Sequence, residues 1–413
     1  MVTPFPPVPR RAGITPATGA AGTRALFYSA DVSGLGNVRR TMAIVHEVAE
    51  LRPDVDLLLL TGGLQTHAYE LPDRFDYVKL PAAARYQLFA HVSPSPDHSR
   101  REGGLVALRE RLAFDTATMF APHLVLVDNL PAGVGWEVIR TLDHLRAIEP
   151  PIALVLGLRD VLDEPARVAR EWEAAGHFEL MERVYDRILI YGCPEVVDPT
   201  REYGFPPAVT AKMEICGYVR RPEPMTPPET IRDDIGAGQA PLVVVTVGGG
   251  QFGGPLLRLD LSALRERQSG LDGVISYVVI GPLVAGAKAE LAALSELANG
   301  LPNLHIVPFA DDLLSHLNAA DVVVTMGGLT LIEAVSLGKR VVSLPRVSAR
   351  DQYVRAQRLA KLGACTWVPE PEQNSARLAA AIRAALNSPP PVVNLDFGGR
   401  ERAARILADL LPG

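Results

Sequence analysis

Short, mostly apolar runs recur along the whole chain, and turn-forming residues bound most of them. In the N-terminal half they cover 25–30, 55–60, 124–127, 152–156, 187–191 and 212–216, and in the C-terminal half 242–247, 274–280, 304–307, 322–324 and 340–344. A run that is apolar at nearly every position is typical of a parallel strand buried on both faces of its sheet. The pattern therefore predicts buried parallel strands in both halves.

Segments with helical character lie between these runs. Residues 42–51 place Ile44, Val45 and Val48 on one helical face, and Gly338 is predicted to cap the end of a helix over 330–337. Further helices are predicted over 105–120, 256–267, 287–298, 313–319 and 400–411. Strands that alternate with helices predict an α/β fold with two Rossmann-like domains.

Composition shifts predict where the domains begin and end. Residues 1–22 are rich in Pro, Ala and Thr without an apolar core, which favours a disordered tail over a signal peptide. Residues 218–240 are rich in Pro, Gly and charge, as expected of a linker. The predicted domains are thus 23–217 and 241–390, followed by a C-terminal helical segment over 391–413.

Composition also disfavours some classes of function. The 413 residues are 48% apolar and 21% charged, with a net charge of −6, which disfavours a nucleic-acid-binding surface. The three cysteines are scattered without metal-ligand spacing, which favours a reducing cytoplasm. No apolar run approaches the ~18 residues that span a bilayer, although a peripheral membrane contact stays open.

Glycine-rich turns mark candidate ligand sites in the C-terminal half. Gly327-Gly328 stands between a predicted strand and a helix, where backbone amides can bind an anion. The loop 248–254 carries five glycines before the next helix and lacks the Lys and Ser or Thr of a Walker loop. Glu333, one turn into its helix, can accept hydrogen bonds from vicinal ribose hydroxyls; the alternative is a solvated residue that complements the helix dipole.

The strand ends of the N-terminal half predict a second site, since ligands of open α/β sheets bind beyond the carboxyl ends of strands. The candidates are Asp31, Ser33, Gly34, Gly36, Asn37, Gly62, Gly63, Asp128 and Asn129. The spacing GLGNVRR does not match the dinucleotide fingerprint. Residues 82–104 form a long irregular stretch, either an acceptor-binding segment or a surface loop.

The segment GGLTLIEAVSLGKRVVSLPR, followed by DQYVRAQRL, resembles the nucleotide-sugar half of GT-B glycosyltransferases. The nearest type is family 28, the MurG-like GlcNAc transferases of peptidoglycan synthesis. The resemblance covers most of 241–365 and continues more weakly over 24–220. It implies two Rossmann-like domains that face each other across a cleft, with the last helix packed back on the first domain.

The resemblance also implies which residues hold a nucleotide diphosphate-sugar. The loop over 248–252 would contact the diphosphate, Phe309 the base, and Asp351 with Gln352 the donor sugar. The alternatives are that Phe309 packs under its loop and that Asp351 is a helix N-cap. The full predicted donor set is Gly248, Gly249, Gly250, Gln251, Phe252, Phe309, Gly327, Gly328, Leu329, Thr330, Glu333, Asp351 and Gln352.

The catalytic base is where the sequence departs from the family. The first loop of the family ends in Gly-His, and that His is a candidate general base, whereas this chain has Asn37, whose neutral amide cannot accept a proton. The substitutes are Asp31, then His67 and Asp128; Asp31 is equally consistent with an Asx turn or an N-cap. No metal motif stands at a strand end, so neither a metal nor a further cofactor is expected.

The resemblance implies an inverting glycosyltransferase, and the lack of a metal motif at a strand end indicates a metal-independent one. It would move a sugar from a nucleotide diphosphate-sugar, UDP first and TDP next, to a hydroxyl or amine of a glycan, lipid-linked or small-molecule acceptor. A nucleotide-sugar hydrolase or epimerase of the same fold is one alternative. A binding protein without catalysis is another, and Asn37 favours it.

Overall fold

The computed structural model describes residues 22–30, 36–63, 66, 70–82, 104–222, 226–249, 252–266, 269–281 and 288–413. The N-terminal half forms a seven-stranded sheet in the order β3-β2-β1-β4-β5-β6-β7, and every strand pair is parallel. Its strands are β1 (Arg24–Ser29), β2 (Asp56–Thr61), β3 (Phe75–Lys79), β4 (Leu124–Asp128), β5 (Ala153–Arg159), β6 (Arg187–Tyr191) and β7 (Met213–Ile215).

Helices connect and cover the strands of this sheet. They are α1 (Gly36–Leu51), α2 (Leu105–Phe120), α3 (Ile139–Arg146), α4 (Pro165–Ala174), α5 (His177–Val184), α6 (Pro199–Glu202) and α7 (Pro207–Thr210), with a 3-10 turn at Val134–Trp136. Strands β1 and β4 are neighbours. From β1 the chain continues to β2 and β3 on one side of the sheet, and from β4 it continues to β5, β6 and β7 on the other side. Loops that leave two such strands diverge and open a crevice for a ligand.

The C-terminal half repeats this plan with six parallel strands in the order β10-β9-β8-β11-β12-β13. Its strands are β8 (Leu242–Thr246), β9 (Ile275–Val279), β10 (Leu304–Val307), β11 (Val322–Thr325), β12 (Arg340–Ser343) and β13 (Thr366–Trp367). Its helices are α8 (Pro228–Ile235), α9 (Gly254–Arg265), α10 (Lys288–Ala298), α11 (Leu313–Ala319), α12 (Leu329–Ser336), α13 (Arg350–Lys361) and α14 (Ser375–Leu386), with a 3-10 turn at Glu370–Glu372.

The last helix, α15 (Gly399–Leu410), packs against α1 of the N-terminal half. Ala403, Ala404 and Leu407 join the buried cluster formed by α1 and the first strands. The returning chain passes so close to Gly217 that a Cβ on Gly399 would lie 2.3 Å from the Gly217 carbonyl oxygen. Glycine at 399 therefore lets the chain cross back beside the linker.

The two-sheet α/β architecture agrees with the prediction, and most strands lie within one or two residues of it. The buried strands β4, β8 and β11 are the apolar runs that the sequence makes most evident. Gly338 adopts a left-handed φ of 67° directly after α12, as expected of a C-terminal capping glycine. None of the helices in the described ranges is long and apolar enough to cross a bilayer.

Candidate functional site

A cavity of about 410 Å³ lies between the two halves, at the carboxyl ends of both sheets. It joins the crevice at the strand ends of the N-terminal sheet to the equivalent position of the C-terminal sheet. Its wall includes residues that follow β4 and β8 and residues at the end of β11. Its lining is Gly36, Asn37, Arg39, Arg40, Asn129, Arg159, Asp160, Tyr191, Tyr218 and Val219 from the N-terminal half and linker, and Val247, Gly248, Gly249, Phe252, Thr325, Met326, Gly328, Leu329, Thr330, Ile332, Arg346, Ser348, Ala349, Asp351, Gln352 and Arg355 from the C-terminal half.

Glycine turns shape the C-terminal wall of the cavity. Gly327 has a φ of 155°, and a Cβ there would lie 2.7 Å from the backbone oxygen of Gln352, so a side chain would force the two segments apart. Gly248 has a φ of 63° and lines the cavity with Gly249. Helix α12 begins at Leu329, and its first residues, Leu329 and Thr330, line this wall. Such a helix start favours an anion.

Glu333 lies on α12 but does not line the cavity. It is 4% exposed, and both of its oxygens accept hydrogen bonds from Arg221, at 2.5 Å from Nε and 3.0 Å from Nη2. Arg221 comes from the linker between the two sheets. A ribose hydroxyl at the Glu333 carboxylate would therefore have to share its oxygens with Arg221 or displace it, and the ribose assignment stays a prediction.

The predicted sugar-binding pair, Asp351 and Gln352, begins α13 and lines the cavity. Arg159, at the end of β5, donates a 2.8 Å hydrogen bond to Asp351 across the cleft. The Gln352 Oε1 and Arg159 Nε atoms are buried and have no hydrogen-bond partner among the described residues. Such polar atoms indicate a polar ligand, because buried polar groups in folded proteins are normally paired.

Helix α13 also carries an arginine that bonds to the N-terminal half. Arg355 donates to Asp160 at 3.0 Å and to the Gly327 carbonyl at 3.0 Å, and it is 4% exposed. Tyr218 of the linker donates a 2.6 Å hydrogen bond to the other oxygen of Asp160. Burial raises the pKa of Tyr218 well above its usual value, which keeps its hydroxyl a donor. These bonds fix the width of the cleft.

The N-terminal wall carries a second set of polar residues. Asn37 donates to the Ala30 carbonyl at 2.6 Å and accepts from Arg40 at 3.1 Å. Arg40 also binds both oxygens of Asp128, at 3.0 and 2.8 Å, and Thr41 donates to Asp128 at 3.2 Å. Burial raises the pKa of Asp128, and the Arg40 charge opposes that rise. Asp128 is 1% exposed and does not line the cavity, an arrangement that favours a structural ion pair.

The remaining predicted residues fall into two groups. Asp31, His67, Gly250 and Gln251 lie outside the described residues. Phe309 is half-buried and is not part of the cavity wall, whereas Phe252, Leu329 and Thr330 are. The sequence did not single out Arg39, Arg221 or Arg355, because an arginine near glycines gives no sign of its partner, which for Arg221 is 112 residues away.

Comparison with known proteins identifies the C-terminal half. Residues 276–392 match the glycosyltransferase family 28 C-terminal domain. An uncharacterised glycosyltransferase of Methanopyrus kandleri is 28% identical over 237 residues, which cover 56% of this chain and 63% of that protein. The UDP-N-acetylglucosamine–N-acetylmuramyl-(pentapeptide) pyrophosphoryl-undecaprenol N-acetylglucosamine transferase of Methylorubrum extorquens is 28% identical over 185 residues, covering 43% and 48%.

Solved structures extend the likeness to the whole fold. The glycosyltransferase SnogD from Streptomyces nogalater superposes with a TM-score of 0.59 at 19% identity, over 94% of this chain and all of that chain. The UDP-GlcNAc 2-epimerase from Methanocaldococcus jannaschii gives 0.57 at 11% identity, over 94% and 99%. Residues 276–392 therefore carry a glycosyltransferase family 28 C-terminal domain, and the whole chain shares the GT-B fold of these solved structures.

The GT-B assignment places the cavity in the cleft between the two Rossmann-like domains. The family 28 match includes β11, α12 and the start of α13, and therefore the Gly327 turn, Glu333 and Asp351. The alignments span less than two thirds of the two curated relatives. The N-terminal wall, with Asn37 and Arg39, lies outside the family match.

Proposed function

We propose that this protein transfers a sugar from a nucleotide diphosphate-sugar, held on the C-terminal wall, to an acceptor held on the N-terminal wall. The observation that carries the proposal is the cleft, because its two walls present different polar groups to a ligand. The C-terminal wall offers glycine turns and the start of α12, which suit a diphosphate, and the buried Gln352 oxygen, which suits a sugar hydroxyl. The family 28 match over this wall supports the same donor.

Arg346 completes the diphosphate position in this proposal. Its guanidinium lies 4.4 Å over the ring of Phe252, donates to Ser348 at 3.2 Å and keeps a buried Nε with no partner among the described residues. Desolvation lowers the pKa of Arg346 from its ordinary value, without removing its charge at neutral pH. We propose UDP as the nucleotide, with TDP next, because the name of the Methylorubrum relative includes a UDP-sugar.

The proposed chemistry is a direct displacement with inversion. The acceptor oxygen or nitrogen forms a bond to the anomeric carbon, while the bond from that carbon to the diphosphate oxygen breaks on the opposite side. The leaving diphosphate takes the electron pair and is stabilised by the amides at the start of α12 and by Arg346, without a metal. The acceptor proton passes to a base on the N-terminal side.

The cavity wall narrows the choice of base. Its two carboxylates in the described residues, Asp160 and Asp351, each accept a hydrogen bond from an arginine, and Asp128 is bound by Arg40 behind the wall. A carboxylate held by an arginine is a weak proton acceptor. Asp31 and His67 therefore stay the proposed bases, with Asp31 first because it shares the loop before α1.

We further propose that the protein acts in the cytoplasm, where its three cysteines would stay reduced; none of them forms a disulfide. A lipid-linked acceptor at a membrane surface is consistent with the undecaprenol in the name of the Methylorubrum relative. A glycan or a specialised metabolite is the alternative acceptor.

The test uses the purified full chain and a panel of UDP-, TDP- and GDP-sugars without acceptor. Calorimetry measures binding, and chromatography measures nucleotide release. Binding of one nucleotide-sugar without hydrolysis supports a transferase and supplies the donor for an acceptor search. Rapid stoichiometric hydrolysis would favour the hydrolase alternative, and isomerised sugar would favour the epimerase. Failure to bind any member would contradict the donor site itself.

A further inference from the structure

Helix α13 bonds to the N-terminal domain through four ion pairs in the described part of the chain, and one of them has the opposite direction. In that pair Arg159, from the N-terminal domain, donates at 2.8 Å to Asp351, which is the one acidic residue of α13. The reversed pair thus brings a cation of the N-terminal domain to a predicted sugar-binding residue. In the other three pairs the arginine belongs to α13, and these are Arg350 with Glu164, Arg355 with Asp160 and Arg358 with Glu202.

The pair beside it already joins the two domains. Asp160 follows Arg159 in the chain, Arg355 lies one turn after Asp351, and the side chains of Asp160 and Arg355 are 2% and 5% exposed. Arg159 and Asp351 are 29% and 22% exposed. An ion pair with that much contact with solvent contributes little to stability. The domain contact therefore does not depend on the reversed pair, which leaves its two side chains available to a ligand in the cavity that both of them line.

Arg159 also has hydrogen-bonding capacity that the protein does not use. A guanidinium carries five N–H donors, and only one nitrogen of Arg159, Nη1, bonds to Asp351. The Nε atom is buried and has no partner among the described residues. Because a buried donor without an acceptor costs free energy, a ligand that supplies an acceptor at this position would be favoured.

Acceptor atoms without partners lie on the opposite side of the same position. The Gln352 Oε1 atom is buried and unpaired among the described residues, and the Asp351 Oδ1 atom accepts no hydrogen bond from them. A sugar hydroxyl both donates and accepts. One hydroxyl can therefore donate to a carboxylate or amide oxygen of α13 and accept from the guanidinium of Arg159.

We propose that Arg159 is a donor-sugar residue supplied by the N-terminal domain: its Nη1 holds Asp351 in position, and its Nε donates to a hydroxyl of the donor sugar. The inference rests on the proposed function, because it assumes that Asp351 and Gln352 hold that sugar. It adds that the sugar position is complete only when β5 lies against α13. The protein then binds an intact nucleotide-sugar more tightly than the free nucleotide, whose contacts lie on the C-terminal wall.

The experiment uses the full chain, and calorimetry measures its affinity for UDP, UDP-glucose and UDP-N-acetylglucosamine. The variants are Arg159→Met, Arg159→Lys and the matched control Arg350→Met. Arg350 directly precedes Asp351 on α13, and its bond to Glu164 also crosses to the N-terminal domain. Arg350 does not line the cavity, so the control removes a bond between the domains without removing a group at the sugar position.

The native chain should bind at least one of the two UDP-sugars more tightly than UDP. Arg159→Met should weaken that UDP-sugar by roughly ten-fold and leave the affinity for UDP within about two-fold. Arg350→Met should change neither affinity by more than about two-fold. Arg159→Lys should keep part of the UDP-sugar affinity, because lysine retains the charge without the planar fork. Arg159→Met and Arg350→Met should both melt close to the native temperature, because each removes a partly exposed pair.

A double variant separates the two roles of Arg159. If Arg159 acts partly by holding Asp351, the loss of UDP-sugar affinity in Arg159→Met with Asp351→Asn should be smaller than the sum of the losses in the single variants. Losses that add fully would contradict the positioning role.

Other outcomes would overturn the inference. Equal weakening of UDP and the UDP-sugar by Arg159→Met would assign Arg159 to the nucleotide or to the fold. Unchanged affinities would show that its pair with Asp351 only joins the domains. An equal loss in Arg350→Met would show that contact between the domains, and not Arg159, is what the sugar requires. UDP-sugars that bind the native chain no more tightly than UDP would leave no sugar contribution for Arg159. Failure to bind UDP at all would contradict the proposed function, and the inference with it.

Discussion

Each of the two domains has, near the cleft but outside the cavity lining, a buried carboxylate that an arginine binds through both oxygens, and the two pairs differ in where the arginine comes from. Arg40 and Asp128 belong to one domain, and their side chains are 2% and 1% exposed. Arg221 reaches Glu333 from the linker, with exposures of 20% and 5%. The first pair is part of a domain core. The second can exchange its arginine for a ligand while the core of its domain stays intact.

The difference teaches that a carboxylate near a strand end is not by itself evidence of catalysis. Asp128 is the last residue of β4, a position where acids often act on substrates, yet three hydrogen bonds from Arg40 and one from Thr41 occupy its oxygens. Glu333 is buried to a comparable degree, but its partner, Arg221, comes from the linker. Four sets of variants test this contrast.

Arg40→Met should have the largest effect, a loss of stability. It leaves the carboxyl group of Asp128 buried with Thr41 as its one hydrogen-bond donor among the described residues, and breaking such a pair costs about 3–5 kcal/mol. The melting temperature at pH 7 should fall by many degrees. The double variant Arg40→Met with Asp128→Asn should recover much of that loss, because it removes the stranded charge. A near-native melting temperature for Arg40→Met would show that the pair is not structural.

Asp260 offers a third buried carboxylate, one that no arginine contacts among the described residues. It lies on α9, is 1% exposed, and burial raises its pKa to about 7. Because the folded pKa lies above the unfolded value, the charged form opposes folding. The contribution of Asp260 to stability is therefore highest below about pH 4 and falls as pH rises toward 7. At about 1.4 kcal/mol for each unit of pKa, the loss above pH 7 is on the order of 4 kcal/mol.

Asp260→Asn should remove that loss. The variant should melt at a higher temperature than the native chain at pH 8 and at nearly the same temperature at pH 4. Thermal melts across this pH range, with the exposed Asp272→Asn as a control in the same domain, make the comparison. A difference that does not change with pH would contradict the account of Asp260.

Glu333→Gln should weaken UDP binding by roughly 1–3 kcal/mol, because a charge-assisted bond to ribose is lost, with a smaller effect on stability. Arg221→Met should leave UDP binding as tight as in the native chain or tighter, because it removes the competitor for the carboxylate. Calorimetry with UDP measures both. Unchanged affinity in Glu333→Gln would remove the ribose assignment, and loss of affinity in Arg221→Met would assign Arg221 to the nucleotide.

The smallest effect is expected for a pair that joins the two domains at the surface. Arg358 donates to Glu202 at 2.8 Å, and their side chains are 39% and 27% exposed. Such exposed pairs contribute about 0–1 kcal/mol. Glu202→Gln should therefore change the melting temperature by a degree or two at most. A change as large as that of Arg40→Met would show that the pair controls domain closure.

The fold could be predicted well from the sequence, because a parallel strand buried on both faces is visible as a continuous apolar run in its own residues. The runs in β8 and β11 are apolar throughout, and Gly338 marks the end of α12 by its own conformational freedom. Strand β3 was not predicted, since it lies at the edge of its sheet and has the mixed sequence FDYVK. An edge strand has one neighbour and an exposed side, so its pattern is weaker.

The site was harder to predict because its chemistry depends on distant partners. The family resemblance indicated Asp351 and the Gly327 turn, and the structure brings both to the cavity. It could not indicate that Arg221 would bind Glu333 from 112 residues away. Nor could the sequence distinguish Arg39 from Arg40, which are adjacent on one helix. The difference between them arises only when β4 brings Asp128 to Arg40.

A crystal structure of the full chain with UDP tests the central claim most directly. The account predicts that the diphosphate lies at the start of α12 near Gly248 and Arg346. It also predicts that a ribose hydroxyl replaces Arg221 on Glu333, while Arg40 and Asp128 keep their native contacts. UDP bound to the N-terminal wall, or UDP bound with both Arg221–Glu333 bonds intact, would contradict it.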